Sequence, residues 1–284
     1  MDMVSRIIET VCSLAGIEEV IITRRVANKY KINFDAKKVI DARSAAYYAT
    51  GIIGETGKTA MLICLNDNES RSCYSGITEA HYKKMPLIFV SVESKPNLEY
   101  TSEIKDTVCK TIDLSKETVF LSITDKIVEA VRFAEEAKQP IHIIIGNGNG
   151  NVADTKKRDV TAVVKTIHNN NYVFIGSDFD CKCPYVARNV AGSKYGVLSN
   201  VLGASLEGKK NKYIGLCDEE EFLLDINTLG NRHINDKVSY CVFCKNSSSY
   251  ISEYALACGF RVIKGQENIE LLNNNGRMVL IIGD

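Results

Sequence analysis

Four acidic residues stand in a row in the second half of the chain and could bind a metal ion. The run is Asp218, Glu219, Glu220 and Glu221. Carboxylate oxygens are the ligands that Mg²⁺ prefers in proteins. A solvated acidic loop is the other interpretation, because adjacent like charges are most stable where water screens them. The residues alone leave both interpretations open.

A second acidic position lies in the first half, where Asp41 precedes Ala42 and Arg43. A carboxylate could accept a proton here, whereas the methyl group of alanine cannot. A helix is expected to begin just after Asp41, and aspartate is a preferred residue for capping the first turn of a helix. Asp41 is therefore either a proton acceptor or a helix cap.

Cysteines offer a third kind of site. Cys241 and Cys244, together with Cys181 and Cys183, supply the four thiols that structural zinc sites use. However, Cys241 and Cys244 lie three apart on an expected buried strand, so their side chains point to opposite faces. This spacing favours cysteines packed in the core over a zinc site.

The other polar motifs favour structural roles. His81 and His142 are embedded in apolar patterns, which predicts core histidines rather than catalytic bases. The glycine-rich residues 146–150 imitate a phosphate-binding loop, but no clear helix follows them, so a linker is expected there. No recognisable motif supplies a Ser-His-Asp triad.

Composition restricts the class of protein. The 284 residues include 35 basic and 35 acidic side chains, and this balance removes the general electrostatic reason to expect nucleic-acid or membrane-surface binding. No apolar stretch approaches the ~20 residues that cross a bilayer. The N-terminal residues carry acids and lack the basic start of a secretory signal, which predicts a cytoplasmic protein with reduced thiols.

The elements that must position these residues alternate between strands and helices. Continuous apolar runs at 60–65, 87–92 and 141–145 have the length of strands buried on both faces. Apolar periodicity predicts helices at 4–16, 43–55, 74–84 and 127–138, and the polar residues 66–72 are expected to form a loop. Such alternation predicts a parallel sheet with helices on both faces.

The alternation restarts after a stretch rich in Gly and Asn. The predicted strands of the second half are 172–175, 212–216, 238–243 and 279–282, and its predicted helices are 196–206, 222–232 and 248–258. The chain is thus expected to contain two successive α/β domains with parallel sheets, at 1–150 and 172–284. Residues 151–171 are predicted to link them.

Several spaced segments resemble the thiamine diphosphate enzymes, notably acetolactate synthase, the 2-oxo acid decarboxylases and the menaquinone-pathway carboligase. Residues 41–51, then Thr56-Gly57-Lys58, and Glu79-Ala80-His81 before Met85-Pro86 are similar to the pyrimidine-binding domain of that family. Residues 192–198, 202–205 and 222–229 are similar to its diphosphate-binding domain. The resemblance covers nearly the whole chain in the family's order, without the usual central domain.

This resemblance implies thiamine diphosphate and Mg²⁺ as cofactors and assigns positions to them. The family's activating glutamate falls at Ala42, beside which Asp41 is the next carboxylate. The metal ligands fall at Glu219 and Asn246. The cofactor-contacting positions are Gly192, Ser193, Lys194, Asn66 and Glu79.

Four departures from the family pattern weaken the implied cofactor site. Ala42 removes the glutamate, and Lys194 stands where the family has a large apolar residue. Bulky polar residues at 66–72 replace a turn of small residues, and the acidic run 218–221 replaces a glycine-containing metal motif. Four adjacent acids repel a diphosphate unless a metal neutralises them.

Two functional hypotheses follow from the resemblance. The first is a thiamine diphosphate enzyme-like protein that is catalytically impaired or inactive and has a regulatory, structural or ligand-binding role. The alternative is an active, divergent decarboxylase or carboligase that uses both cofactors. The family resemblance also implies a homodimer or higher homo-oligomer, or pairing with a separate intact subunit that restores activity at mixed sites.

Overall fold

The computed structural model describes residues 3–33, 35–92, 104, 106–146, 157–167, 170–188, 194–245 and 249–283, except for the side chains of residues 66–68. The chain divides into two compact units, Met1–Ala153 and Asp154–Asp284, called here the first and second units. Within the described ranges, no helix combines the length and apolar character needed to span a bilayer.

The first unit contains a six-stranded parallel sheet in the order β2-β1-β3-β4-β6-β5. Its strands are β1 (Glu19–Thr23), β2 (Lys37–Val39), β3 (Ala60–Leu65), β4 (Leu87–Val92), β5 (Lys110–Leu114) and β6 (Ile141–Ile145). Its helices are α1 (Met3–Ala15), α2 (Arg24–Lys29), α3 (Ala42–Thr56), α4 (Asn66–Tyr82) and α5 (Phe120–Ala137). The strands predicted at 60–65, 87–92 and 141–145 are confirmed.

Alternating side chains of this sheet pack into two separate hydrophobic cores, one on each face of the sheet. Met61, Ile63 and Leu65 of β3 pack on one face with α1 and α5, whereas Ala60, Leu62 and Cys64 pack on the other with α3 and α4. Helices α3 and α4 approach closely because small residues line their contact. A Cβ on Gly76 of α4 would lie only 2.5 Å from the Cβ of Ala46 in α3.

The second unit repeats the same strand order, β10-β8-β11-β12-β14-β13, again with parallel pairing. Its strands are β7 (Arg158–Asp159), β8 (Tyr172–Ile175), β9 (Phe179–Asp180), β10 (Ala187–Arg188), β11 (Tyr213–Asp218), β12 (Val238–Cys244), β13 (Arg261–Lys264) and β14 (Met278–Gly283). Its α-helices are α6 (Thr161–Ile167), α7 (Val197–Glu207), α8 (Glu219–Leu224) and α9 (Ser249–Ala257). Strands β7 and β9 form a separate pair.

Side chains on the two faces of the second sheet also belong to different cores. Cys241 packs on the face that carries α6, and Cys244 packs on the face that carries α7 and α9. The predicted fold class, two successive parallel α/β domains with helices on both faces, is confirmed. The opposite placement of Cys241 and Cys244 agrees with their prediction as core residues.

Three local predictions differ from the structure. The loop predicted at 66–72 is wrong, because α4 already begins at Asn66 and runs through that stretch. The helix predicted at 222–232 begins earlier, at Glu219, because Asp218 caps it, and it gives way to a 3₁₀ helix at Ile226–Gly230. Part of the predicted linker forms α6, whose Val163, Val164 and Ile167 pack into the second unit's core. The proposed domain limits remain a prediction.

Candidate cofactor site

In the first unit, the start of α3 carries the position where a proton acceptor is expected. Ala42 is the first residue of the helix, and it is fully buried among Ala45, Ala46 and residues of α4. Cys73 of α4 donates its thiol hydrogen to the carbonyl oxygen of Ala42 at 3.3 Å. The side chain of residue 42 therefore contributes to helix packing and offers no polar atom.

Asp41 caps α3. Its Oδ1 atom accepts a hydrogen bond of 2.8 Å from the backbone N–H of Ser44, as an N-cap residue does. This contact favours the capping interpretation of Asp41. Its carboxylate is thus already a hydrogen-bond acceptor for the backbone of the helix.

In the second unit, Lys194 lies at the centre of a group of carboxylates. Its Nζ atom is 2.6 Å from Oδ2 of Asp178, 2.9 Å from Oε2 of Glu220 and 3.4 Å from Oδ2 of Asp218. Only 13% of the Lys194 side chain is exposed. Burial opposes the charged form of Lys194, but the charges of Asp218 and Glu220 outweigh it, so that the pKa of the ammonium rises above its usual value.

The strand order explains why these carboxylates meet. Strand β8 pairs with β11, and the chain reaches β10 on the opposite side of β8 before it returns to β11. The carboxyl ends of β8 and β11 therefore border the point where the strand order reverses, the usual ligand crevice of open α/β sheets. Asp178 follows β8, Asp218 ends β11, and Glu220 lies in the first turn of α8.

The Glu221 side chain is fully buried at this same edge, beside the carboxyl ends of β8 and β11. Its Oε1 atom accepts hydrogen bonds from the backbone N–H (2.6 Å) and the hydroxyl (2.8 Å) of Ser177. Its Oε2 atom accepts from the N–H of Asp218 at 3.3 Å, while Oδ1 of Asp218 accepts from the N–H of Glu221, which completes a capping box. A Cβ on Gly176 would overlap the Glu221 carboxylate, so any other residue there would require that carboxylate to move.

Burial changes the acidity of this edge. It raises the pKa of Glu221 to about 7, helped by the nearby charge of Asp218 and opposed by the hydrogen bonds from Ser177. Burial also raises the pKa of Asp218, against the attraction of Lys194. Both shifts express the cost of holding several carboxylates in one poorly solvated place.

Sequence comparison relates the chain to one group of enzymes. It is 28% identical over 149 residues to the 2-succinyl-5-enolpyruvyl-6-hydroxy-3-cyclohexene-1-carboxylate synthase of Flavobacterium johnsoniae, a match that covers 47% of this chain and 27% of the synthase. A synthase of the same name from Thermosynechococcus vestitus is 31% identical over 68 residues, or 24% of this chain and 12% of that enzyme. The chain is a relative of the thiamine diphosphate-dependent enzymes.

The extent of this relationship is limited. The matches span about a quarter or less of the length of these two synthases. No protein-family profile matches the chain. A solved thiamine diphosphate-dependent 4-hydroxybenzoylformate decarboxylase from Rhodococcus jostii superposes with a TM-score of 0.44 at 9% identity, over 98% of each chain. The sequence matches to the synthases bear out the predicted resemblance to thiamine diphosphate enzymes.

The described residues of the second unit do not fit a magnesium–diphosphate group. The family resemblance places its metal motif at 218–221, and an ammonium ion already bridges Asp218 and Glu220 there. The backbone N–H groups of Ser177 and Asp218, which could bind phosphate oxygens, instead bind Glu221. An anionic diphosphate would meet the carboxylates of Asp218, Glu220 and Glu221 at this edge.

The remaining predicted positions lie elsewhere or outside the described residues. Glu79 is a surface residue of α4 and forms an ion pair of 2.7 Å with Lys83. Asn66 begins α4, but its side chain lies outside the described residues. Gly192, Ser193 and Asn246 also lie outside them, so their roles stay predictions. Glu219 is the first residue of α8, beside the Lys194 group.

Sequence reasoning missed three residues that shape the candidate site. Asp178 and Ser177 follow a strand that had been predicted, and the carboxyl end of a parallel strand is a usual location for site residues. Glu69 was assigned only to a loop, but it is a buried acid that accepts from the hydroxyl of Thr23 and the N–H of Leu65. The sequence signal for Glu69 is that the helical periodicity predicted from residue 74 onward also extends toward the N-terminus and includes this position.

The competing motifs have structural roles where the structure describes them. Among the described residues, no group of three or more His, Cys, Asp or Glu side chains is arranged to hold a metal ion. His142 is buried, and its Nε2 atom is 2.6 Å from the hydroxyl oxygen of Ser91. Burial lowers the pKa of His142 to about 3, so this ring is neutral at physiological pH.

Proposed function

We propose that this chain is a non-catalytic relative of the acetolactate synthase and 2-oxo acid decarboxylase type of thiamine diphosphate enzyme, with a regulatory, structural or ligand-binding role. The main support is Ala42, a buried methyl group at the position where the family resemblance expects the activating glutamate. The neighbouring carboxylate of Asp41 is bound to the backbone of α3. General acid–base groups contribute roughly 10²–10⁴-fold to reaction rates, so this loss alone is large.

The second unit supports the same proposal independently. Lys194 holds Asp218 and Glu220, within the run 218–221 where the resemblance implies the metal motif, and Glu221 holds two backbone N–H groups at the same edge. The thiamine ring supplies an electron sink when that cofactor is bound. The chain's own residues at this edge bind one another instead, so the proposal assigns no catalytic step to them.

Turnover measurements test the proposal. The purified chain is incubated with thiamine diphosphate, Mg²⁺ and either pyruvate or 2-oxoglutarate, and release of carbon dioxide is recorded. We expect no release above the protein-free rate. Sustained release by the wild-type chain would favour the alternative, an active divergent decarboxylase or carboligase.

Two matched variants at position 42 locate the defect. Ala42→Glu restores the carboxylate, and Ala42→Gln has nearly the same size without a basic oxygen. We expect both to remain inactive, because the second unit still lacks a place for the metal and the diphosphate. Activity in Ala42→Glu but not in Ala42→Gln would show that only the glutamate is missing.

The proposal includes assembly with a second copy or with an intact subunit. Support comes from α3, where Tyr47 and Tyr48 are about half exposed (47% and 54%) and line an open groove of about 1010 Å³ with Ile52 and Ser75. Exposed aromatic residues in a groove are typical of interaction surfaces. Light scattering of the chain, alone and mixed with an intact synthase, tests this part, and carbon dioxide release only on mixing would identify a hetero-subunit.

A further inference from the structure

We infer that the ammonium of Lys194 is a built-in cation that takes the place of a divalent metal, and that its removal would turn the surrounding carboxylates into a metal-binding site. The inference rests on the proposed function in one respect: residues 218–221 are taken as the position of the family's metal motif. It does not depend on whether the chain has any turnover.

The arrangement around Lys194 has the features of a bound cation. Its three carboxylate partners come from three places in the fold, namely the residues after β8, the end of β11 and the first turn of α8. All three place an oxygen within 3.4 Å of one nitrogen atom. Asp218 and Glu220 are largely shielded from water, with 27% and 19% of their side chains exposed, whereas 42% of the Asp178 side chain is exposed.

Charge explains why one lysine is needed here. Asp178, Asp218 and Glu220 repel one another at these distances, and at partial burial water screens them poorly. The single positive charge of Lys194 offsets part of this repulsion and keeps the group together. Without it, the carboxylates must take up protons, separate, or bind another cation.

A divalent cation is the replacement that the chemistry of the group favours. Magnesium and manganese ions prefer oxygen ligands, and carboxylates supply both the ligand atoms and the charge. A dication also neutralises more of the repulsion than one ammonium does. In the wild-type chain, by contrast, a metal would have to displace a cation that is covalently tethered at the same place.

The test is a gain of metal binding in Lys194→Met, which keeps the length of the apolar stem and removes the charge. Mn²⁺ alone is titrated into the wild-type chain and the variant, and binding is read from the loss of the electron paramagnetic resonance signal of free Mn²⁺. We expect the variant to bind with a dissociation constant lower by about tenfold or more than the wild type. Its thermal unfolding temperature should then rise with Mg²⁺, as linkage requires.

Three control variants define the cause. Lys194→Arg keeps the positive charge and should not gain metal binding. Lys126→Met removes an ammonium that pairs with a single carboxylate, Glu117, so it should not gain binding either. Lys194→Met combined with Asp218→Asn should lose the gain, because one of the ligands is then neutral.

The outcomes that contradict the inference are equally clear. Stoichiometric Mn²⁺ binding by the wild-type chain would mean that the ammonium excludes nothing, and this measurement requires no variant. A folded Lys194→Met that binds no metal would also overturn the inference. If Lys194→Met folds only when Mg²⁺ is present, the inference is supported, and if it does not fold, Lys194→Gln, which also removes the charge and keeps all three carboxylates, takes its place with the same expected gain.

This experiment separates the inference from the proposed function. Failure to gain metal binding would leave the argument from Ala42 intact, because that argument concerns the first unit. Turnover by the wild-type chain would overturn the proposed function without measuring what Lys194 binds. Each result therefore bears on one statement only.

Discussion

The two units place a buried glutamate at the same point of the same sheet topology. In the first unit, Oε2 of Glu69 accepts hydrogen bonds from the hydroxyl of Thr23 at the end of β1 (2.7 Å) and from the N–H of Leu65 at the end of β3 (2.6 Å). In the second unit, Glu221 binds Ser177, just after β8, and the N–H of Asp218 at the end of β11. Strands β1 and β3 correspond to β8 and β11 in the two sheet orders.

The surroundings of the two glutamates differ in charge. Among the described contacts near Glu69, Ser70 lies 2.8 Å from Ser91, which in turn lies 2.6 Å from neutral His142. Near Glu221, the neighbours include Asp218, Glu220 and the ammonium of Lys194. In these described contacts, hydroxyl and amide donors bind both glutamates, and ion pairs are added at the second edge.

In both units, a glutamate side chain of the protein itself occupies the edge of the sheet where ligands of open α/β sheets usually bind. Backbone N–H groups at the carboxyl ends of parallel strands are the donors that phosphate ligands use. In each unit, a glutamate of the following helix accepts from such a donor. The fold can therefore remain while backbone donors of the kind that bind anionic ligands serve the protein's own hydrogen-bonding network.

The largest expected effect comes from removing the two glutamates. Glu69→Ala leaves the N–H of Leu65 and the hydroxyl of Thr23 buried without this acceptor, so we expect a loss of about 3 kcal/mol in the free energy of unfolding. Glu221→Ala should cost less, about 1 to 2 kcal/mol, because it also removes a negative charge from a crowded acidic group. Hydrogen exchange of β3 and β11 peptides in urea measures each unit separately.

Glu79→Ala is the matched control for these variants. Glu79 lies on the more exposed side of the same helix as Glu69, and its carboxylate forms a surface ion pair with Lys83, so its loss should be small. A larger loss for Glu221→Ala than for Glu69→Ala would contradict the idea that charge crowding offsets the role of Glu221.

The next effect is an opposite response of the two units to pH. The pKa of His142 is lowered from 6.5 to about 3, so between these values the unfolded state binds a proton that the native state does not, and the first unit loses stability as pH falls. The pKa of Glu221 is raised from 4.5 to about 7, so the native state holds the extra proton and the second unit loses stability as pH rises. Between pH 5 and 6.5, each change should be about 2 kcal/mol.

Peptide-resolved hydrogen exchange across this pH range, corrected for the intrinsic exchange rate, measures both responses. His142→Phe should abolish the acid-induced loss in the first unit and leave the second unit's response unchanged. Glu221→Gln should abolish the response of the second unit only. Parallel pH responses of the two units in the wild-type chain would show that one of these two groups does not titrate as its burial requires.

The strands and the family could be predicted from the sequence, because both are marked by short segments of neighbouring residues. Ala60–Leu65 is a continuous apolar run, and a strand buried on both faces needs no distant information to be recognised. The motifs around Asp41 and Ala42 are equally local. Their register on α3, with Asp41 as the cap and Ala42 inside the helix, agrees with the capping interpretation.

The candidate site could not be predicted to the same degree, because it depends on distant pairs. Lys194 was recognised as a departure from the family pattern, but its partner Asp178 lies 16 positions away in an irregular stretch after β8. Glu69 and Thr23 are 46 positions apart and meet only because β1 and β3 are neighbours in the sheet. Periodicity identifies elements, whereas these contacts require the strand order.

The smallest expected effect concerns the helix caps of the two units, Asp41 and Asp218. Asp41 accepts one backbone hydrogen bond at the exposed start of α3, so Asp41→Ala should lower the free energy of unfolding of the first unit by about 1 kcal/mol, and Asp41→Asn, which retains a capping oxygen, by much less. Burial and neighbouring carboxylates raise the pKa of Asp218 despite its ion pair with Lys194, so Asp218→Asn, which keeps a capping oxygen and removes the charge, should destabilise the second unit no more than Asp41→Asn destabilises the first. Urea-dependent hydrogen exchange measures both variants, and a clearly larger loss for Asp218→Asn would mean that the ion pair with Lys194 outweighs the crowding of the carboxylates.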